Sequence, residues 1–192
     1  MNIANKLTLI RVALIPIFIA FFYIEIPFSQ HFAALVFIAA SLTDLFDGRL
    51  ARRRGIVTNF GKLVDPIADK LLVCSALIML ASENTFTGWF KVLFVPLVII
   101  MVGREFIISG LRLLAAAGGK VLAADMFGKV KTVVQIVAIT VVLMQNGIFT
   151  GTFFEPWLLY AGIALMCAAT ALSVLSCVHY FTANKDILKE LV

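Results

Sequence analysis

Residues 44–69 read DLFDGRLARRRGIVTNFGKLVDPIAD, and the organisation of the chain follows from where this stretch sits. Asp44, Asp47, Asp65 and Asp69 are four of only 11 acidic residues in a 192-residue sequence. Asp44 follows the apolar run from His31 to Ser41, and Asp69 precedes the apolar run from Leu71 to Ala81. A carboxylate beside hydrocarbon is costly unless it is paired or binds a cation. Asp44 and Asp47 are three residues apart and Asp65 and Asp69 four apart, so on helices each pair shares a face. Two neighbouring helices can direct both pairs into one pocket. Its donors are oxygen alone, without Cys or His nearby, which suits hard cations such as Mg²⁺ or Mn²⁺. Four carboxylates can hold two such ions, an arrangement suited to displacement at phosphorus. Helix caps and surface ion pairs would not require four carboxylates at these intervals.

Written as a pattern, the stretch is Asp44-x2-Asp47-Gly48-x2-Ala51-Arg52-x8-Gly61-x3-Asp65-x3-Asp69. It resembles the signature of the CDP-alcohol phosphotransferase family of integral membrane enzymes, with every fixed position present. The resemblance implies transfer of a phosphatidyl group from a CDP-linked lipid to an alcohol, with release of CMP. Carried over position by position, it makes Asp44, Asp47 and Asp65 metal ligands. It makes Asp69 the catalytic general base, also touching one ion. Gly48 and Ala51 are then small where a nucleotide approaches the backbone, Arg52 pairs with a phosphate of the CDP group, and Gly61 permits close approach. An Asn5-x2-Thr8-x2-Arg11 opening is similar to that of several family members, and its spacing gives one helical face. These residues either line the site or anchor the chain at the interface.

Working outward, the chain is 62% hydrophobic with a mean hydropathy of +1.05, which places it among polytopic membrane proteins. The first apolar segment, from Leu7 to Ile24, is long for a signal peptide and lacks a small-residue cleavage site, so it reads as the first membrane helix. Further helices are expected from His31 to Arg54, Leu63 to Ala81, Trp89 to Ala117, about Met126 to Gln145, and Trp157 to Thr182. The expectation is an all-α bundle of six spans, each near the roughly 20 residues that a bilayer core requires, forming one domain over residues 1–192. Pro66 falls in the first turn of the third helix, where proline is tolerated. Cys74, Cys167 and Cys177 lie in apolar runs without metal-ligand spacing and read as core hydrophobes.

The formal net charge is +5. Lys6, Arg11, the basic run at 49–62, the basic run at 104–131, Lys185 and Lys189 all fall on one side of a six-span arrangement. The other side holds Glu25, Glu83, Glu155 and Lys91. The positive-inside rule therefore places both termini and the aspartate pocket at the cytoplasmic face of the cell membrane.

A second cluster concerns the acceptor. The fourth helix carries Gly103-Arg104-Glu105 and Arg112, and the fifth opens with Gly128-Lys129-x-Lys131-Thr132-x2-Gln135. Arg104, Arg112, Lys129, Lys131 and Thr132 make a good anion pocket, more cationic than a neutral alcohol needs. Alternatively, the charges follow the positive-inside rule, with Arg104 and Glu105 as buried structural ions. The Gly-Lys-x-Lys-Thr stretch and the Arg-Glu pair are similar to the family branch whose acceptor is sn-glycerol 3-phosphate, used with CDP-diacylglycerol. The resemblance also implies a homodimer. Other acceptors, of the cardiolipin synthase or phosphatidylinositol-phosphate synthase type, are the alternative within the family. A divalent-cation transporter is an alternative outside it, disfavoured because the acidic residues lie at one boundary only.

Overall fold

The computed structural model describes residues 3–24, 28–54, 59–82, 86, 88–119, 126–146, 148–149 and 151–185; within these, the side chains at 3–8, 44–54, 59–66, 69, 88 and 146 lie outside the description. The described chain is all-helical: α1 (Ile3–Tyr23), α2 (Ser29–Arg54), α3 (Asn59–Ser82), α4 (Gly88–Ala117), α5 (Met126–Asn146) and α6 (Glu155–Ala183). Their number and order match the hydropathy reading.

Two boundaries differ from that reading. Helix α3 begins at Asn59 rather than near Leu63, so Pro66 stands inside the helix and not in its first turn. The Thr-Asn sequence at 58–59 offers two capping residue types, and a glycine such as Gly61 costs a helix only about 1 kcal/mol. Helix α6 begins at Glu155, before Trp157. Glu155 Oε2 accepts from the Gly151 amide at 2.6 Å, and a carboxylate in the first turn complements the helix dipole. Proline is also well placed at the start of a helix. At the other end of α4, Gly119 adopts φ +71°, and its amide donates to the Ala116 carbonyl, closing the helix with a left-handed cap.

The helices form two compact units, residues 1–85 with 139–160, and residues 86–138 with 161–192. In the first, α1 packs on both α2 and α3, which also touch each other. Ala33, Ala34, Ala40, Ala68 and Ala76 are fully buried there, and such small side chains let helix backbones approach closely. Phe18 is fully buried, with ring centroids 5.2 Å from Phe22 and 5.9 Å from Phe37. Arg11 is 3% exposed. It is therefore an interior group of this unit.

In the second unit, Phe86, Phe90 and Phe94 form a ring cluster at the start of α4. Further along, Ile108, Ala115 and Tyr180 join α4 to α6. Helices α5 and α6 also carry a seam of buried polar residues in this unit: Lys131 and Gln135 on α5, and Thr170, Ser173 and Ser176 on α6.

Among the described residues, three helices are long and apolar enough to cross a membrane: Trp89–Ala117, Met126–Gln145 and Glu155–Ala183. The outward faces of α4 and α6 carry Val92, Ile99, Leu113, Leu175 and Val178 in the open, as helices surrounded by lipid do. The described apolar stretches of the first three helices are Leu9–Tyr23, Ser29–Thr43 and Lys70–Ser82. Helices α2 and α3 give the rest of their length to the charged motif.

Candidate active site

Helix α2 runs unbroken from Ser29 to Arg54, so Asp44, Asp47, Gly48, Ala51 and Arg52 all stand on one continuous helix. Gly61, Asp65 and Asp69 stand on α3. The premise behind the spacing therefore holds: residues three and four apart are neighbours on a helix surface. The side chains of these eight residues, and of Asn5 and Thr8 on α1, lie outside the described residues.

Two described neighbours bear on the acidic motif. Ser41, one turn before Asp44, is buried, and its Oγ has no hydrogen-bond partner among the described residues. Ala68, beside Asp69, is fully buried. The donor set is carboxylate oxygen alone on two touching helices, with a spare buried hydroxyl a turn below. That chemistry fits a hard divalent cation.

The basic cluster lies within the second unit. Glu105 Oε1 accepts from Arg104 Nη1 at 3.1 Å and from Lys131 Nζ. Arg104 Nη2 in turn donates to Ser176 Oγ on α6 at 2.6 Å. The Lys131 side chain is 1% exposed, those of Arg104 and Glu105 11% and 14%. One carboxylate thus joins a cation on its own helix to a cation on α5, while a serine on α6 braces the guanidinium. A β-carbon on Gly128 would lie 3.6 Å from Arg104 Nη2 and 3.8 Å from Ser176 Oγ, so α5 passes directly against the pair.

The other residues expected at the acceptor are placed differently. Arg112, two turns along α4, is exposed and lies over the Tyr180 ring with its Cζ 5.5 Å from the centroid. Lys129 is exposed in the first turn of α5. Thr132 directs its hydroxyl to the Gly128 carbonyl at 3.0 Å, a local bond within the helix. Sequence reading missed Ser176 altogether. The available signal was Ser173, Ser176 and Tyr180 at intervals of three and four residues, one polar-tipped face on an otherwise apolar helix.

The sequence matches the profile of the CDP-alcohol phosphatidyltransferases over residues 1–175. This chain belongs to the CDP-alcohol phosphatidyltransferase family. Among its relatives, the CDP-diacylglycerol–glycerol-3-phosphate 3-phosphatidyltransferase of Bacillus subtilis (strain 168) is 40% identical over 200 residues, covering 98% of this chain and 97% of its own. The protein of the same name from Escherichia coli (strain K12) is 41% identical over 192 residues, covering 98% of each. The CDP-alcohol phosphatidyltransferase profile takes in both acidic pairs and the Arg104–Glu105–Lys131 cluster, and ends one residue short of Ser176.

Proposed function

We propose that this family member acts as a phosphatidylglycerophosphate synthase. It transfers the phosphatidyl group of CDP-diacylglycerol to sn-glycerol 3-phosphate, giving phosphatidylglycerol phosphate and CMP. The observation that carries this reading is the identity of about 40% across 98% of the chain to relatives bearing that activity in their names.

In this reading Asp44, Asp47, Asp65 and Asp69 hold two Mg²⁺ or Mn²⁺ ions. When bound, such ions neutralise the pyrophosphate and make CMP a better leaving group. The chain's own residues do the rest. Arg52 pairs with a phosphate of the CDP group, and Gly48, Ala51 and Gly61 keep the helices narrow where the nucleotide lies. Asn5 and Thr8 line the lipid-linked substrate, a role that the burial of Arg11 on the same helix supports. Asp69 takes the proton from the acceptor hydroxyl, which then attacks the phosphorus bonded to the lipid. Arg104 and Lys131 bind the acceptor's phosphate, with Arg112, Lys129 and Thr132 nearby on the same two helices.

The same reading places the protein in the cell membrane as one domain of six spans that works as a homodimer. Both termini and the acidic motif face the cytoplasm. The one-sided distribution of Lys and Arg supports this orientation. The three long apolar helices support residence in the membrane.

The test is CMP release by purified protein with Mg²⁺, CDP-diacylglycerol and a panel of alcohols. Turnover is expected with sn-glycerol 3-phosphate. Turnover with inositol phosphate, phosphatidylglycerol or serine, and none with glycerol 3-phosphate, refutes the assignment.

A further inference from the structure

We infer that Glu105 is a positioning residue for the acceptor's phosphate, fixing Arg104 and Lys131 in a buried cluster that Ser176 braces from α6. The inference deepens the glycerol-phosphate reading above and rests on it. Lysine carries its charge on a flexible four-carbon stem and arginine on a long one, so neither cation is held in place by its own helix. The Glu105 carboxylate takes a donor from each. The Ser176 hydroxyl takes a second donor from Arg104. The guanidinium is thereby gripped at both terminal nitrogens.

What remains uncommitted points to an anion. Arg104 Nε is buried and has no hydrogen-bond partner among the described residues. Gln135, one turn beyond Lys131 on α5, is buried with its Nε2 likewise unpartnered, and so is the Ser173 hydroxyl one turn from Ser176 on α6. The Phe127–His179 ring contact and the approach of Gly128 to Ser176 set the two helices antiparallel. Gln135 and Ser173 therefore extend the seam in the same direction from the cluster. Buried donors without acceptors are expensive. A phosphate monoester supplies several strong acceptor oxygens, and a guanidinium held in a fixed orientation is a good partner for them. Such a group enters on the side where Arg104 and Glu105 keep 11% and 14% side-chain exposure, with the buried Lys131 contributing its charge.

Full-length protein carrying Glu105→Gln, Glu105→Asp or Ser176→Ala tests this, with Michaelis constants measured separately for sn-glycerol 3-phosphate and CDP-diacylglycerol in detergent micelles. Glu105→Gln is expected to raise the acceptor KM about tenfold while the lipid KM stays within about twofold. Glu105→Asp recovers part of that loss. Ser176→Ala raises the acceptor KM about threefold, and it decides the matter if Glu105→Gln does not fold. Stabilisation of the protein against heat by glycerol 3-phosphate falls in the same order. An unchanged acceptor KM, or acceptor and lipid constants rising together, overturns the inference. If the wild-type protein shows no turnover with glycerol 3-phosphate, the acceptor reading itself falls, and that failure is visible before any variant is made.

Discussion

Replacing Lys131 with methionine separates what this residue does for folding from what it does for the acceptor. Lys131 is almost wholly buried with its ammonium on Glu105. Methionine keeps the length and apolar character of the stem, so packing changes little. Glu105 retains Arg104 as a counter-charge at 3.1 Å after the substitution. Removing one member of a buried ion pair is costly chiefly where it leaves the other uncompensated, and the cost of desolvating the lysine charge disappears with it. The stability change is therefore expected to lie within about 1 kcal/mol, read as the midpoint of thermal unfolding in detergent. The effect on the acceptor is larger. A unit charge about 6 Å from a phosphate, at an effective dielectric near 20, contributes roughly 2–3 kcal/mol. That corresponds to a fall of roughly thirty- to 150-fold in kcat/KM for glycerol 3-phosphate. CMP release at varied acceptor and fixed saturating lipid measures it. A variant that melts far below the wild type yet keeps its acceptor KM would show that Lys131 is structural, and would refute the reasoning.

Other substitutions probe the rest of the chain. Asp69→Asn should abolish turnover while CDP-diacylglycerol still binds, whereas Asp44→Ala should lose Mg²⁺ and lipid-nucleotide binding together; equal loss of binding in both would contradict separate roles. Phe18→Ala empties a fully buried site between α1 and α2 and should cost about 3–5 kcal/mol, visible as a lower unfolding midpoint. Gly119→Ala should cost about 1–2 kcal/mol through its left-handed backbone alone, since nothing lies within 4 Å of the added carbon. Gly110→Ala, inside α4 with equally open space, should stabilise by about 0.5–1 kcal/mol; paired melting curves check the opposite signs.

The helices were legible because long apolar runs and their polar interruptions are local properties of the chain. The acidic motif was legible for a related reason: three- and four-residue intervals carry meaning once α2 and α3 are helical throughout, as they are. Burial was harder to read. Cys167 was expected in the core and is exposed. An apolar run does not distinguish a face turned to protein from one turned to lipid, since both are greasy. The sequence reading groups Lys131 with Arg104 by charge but does not show their shared carboxylate, because Glu105 and Lys131 meet only where α4 comes against α5. Ser176 is 72 residues from Arg104 along the chain, and no periodicity links them. Thr132 has the composition of a ligand, yet its hydroxyl turns back to its own helix.

The bond from Arg104 to Ser176 ties the evolution of two distant helices together. A lineage that loses the hydroxyl while keeping the guanidinium leaves a buried donor stranded, and one that loses the guanidinium takes a counter-charge from Glu105. Positions 104, 105, 131 and 176 should consequently drift as a set. Correlated replacement among these four columns, in sequences that diverge from this one, would be the imprint of that constraint.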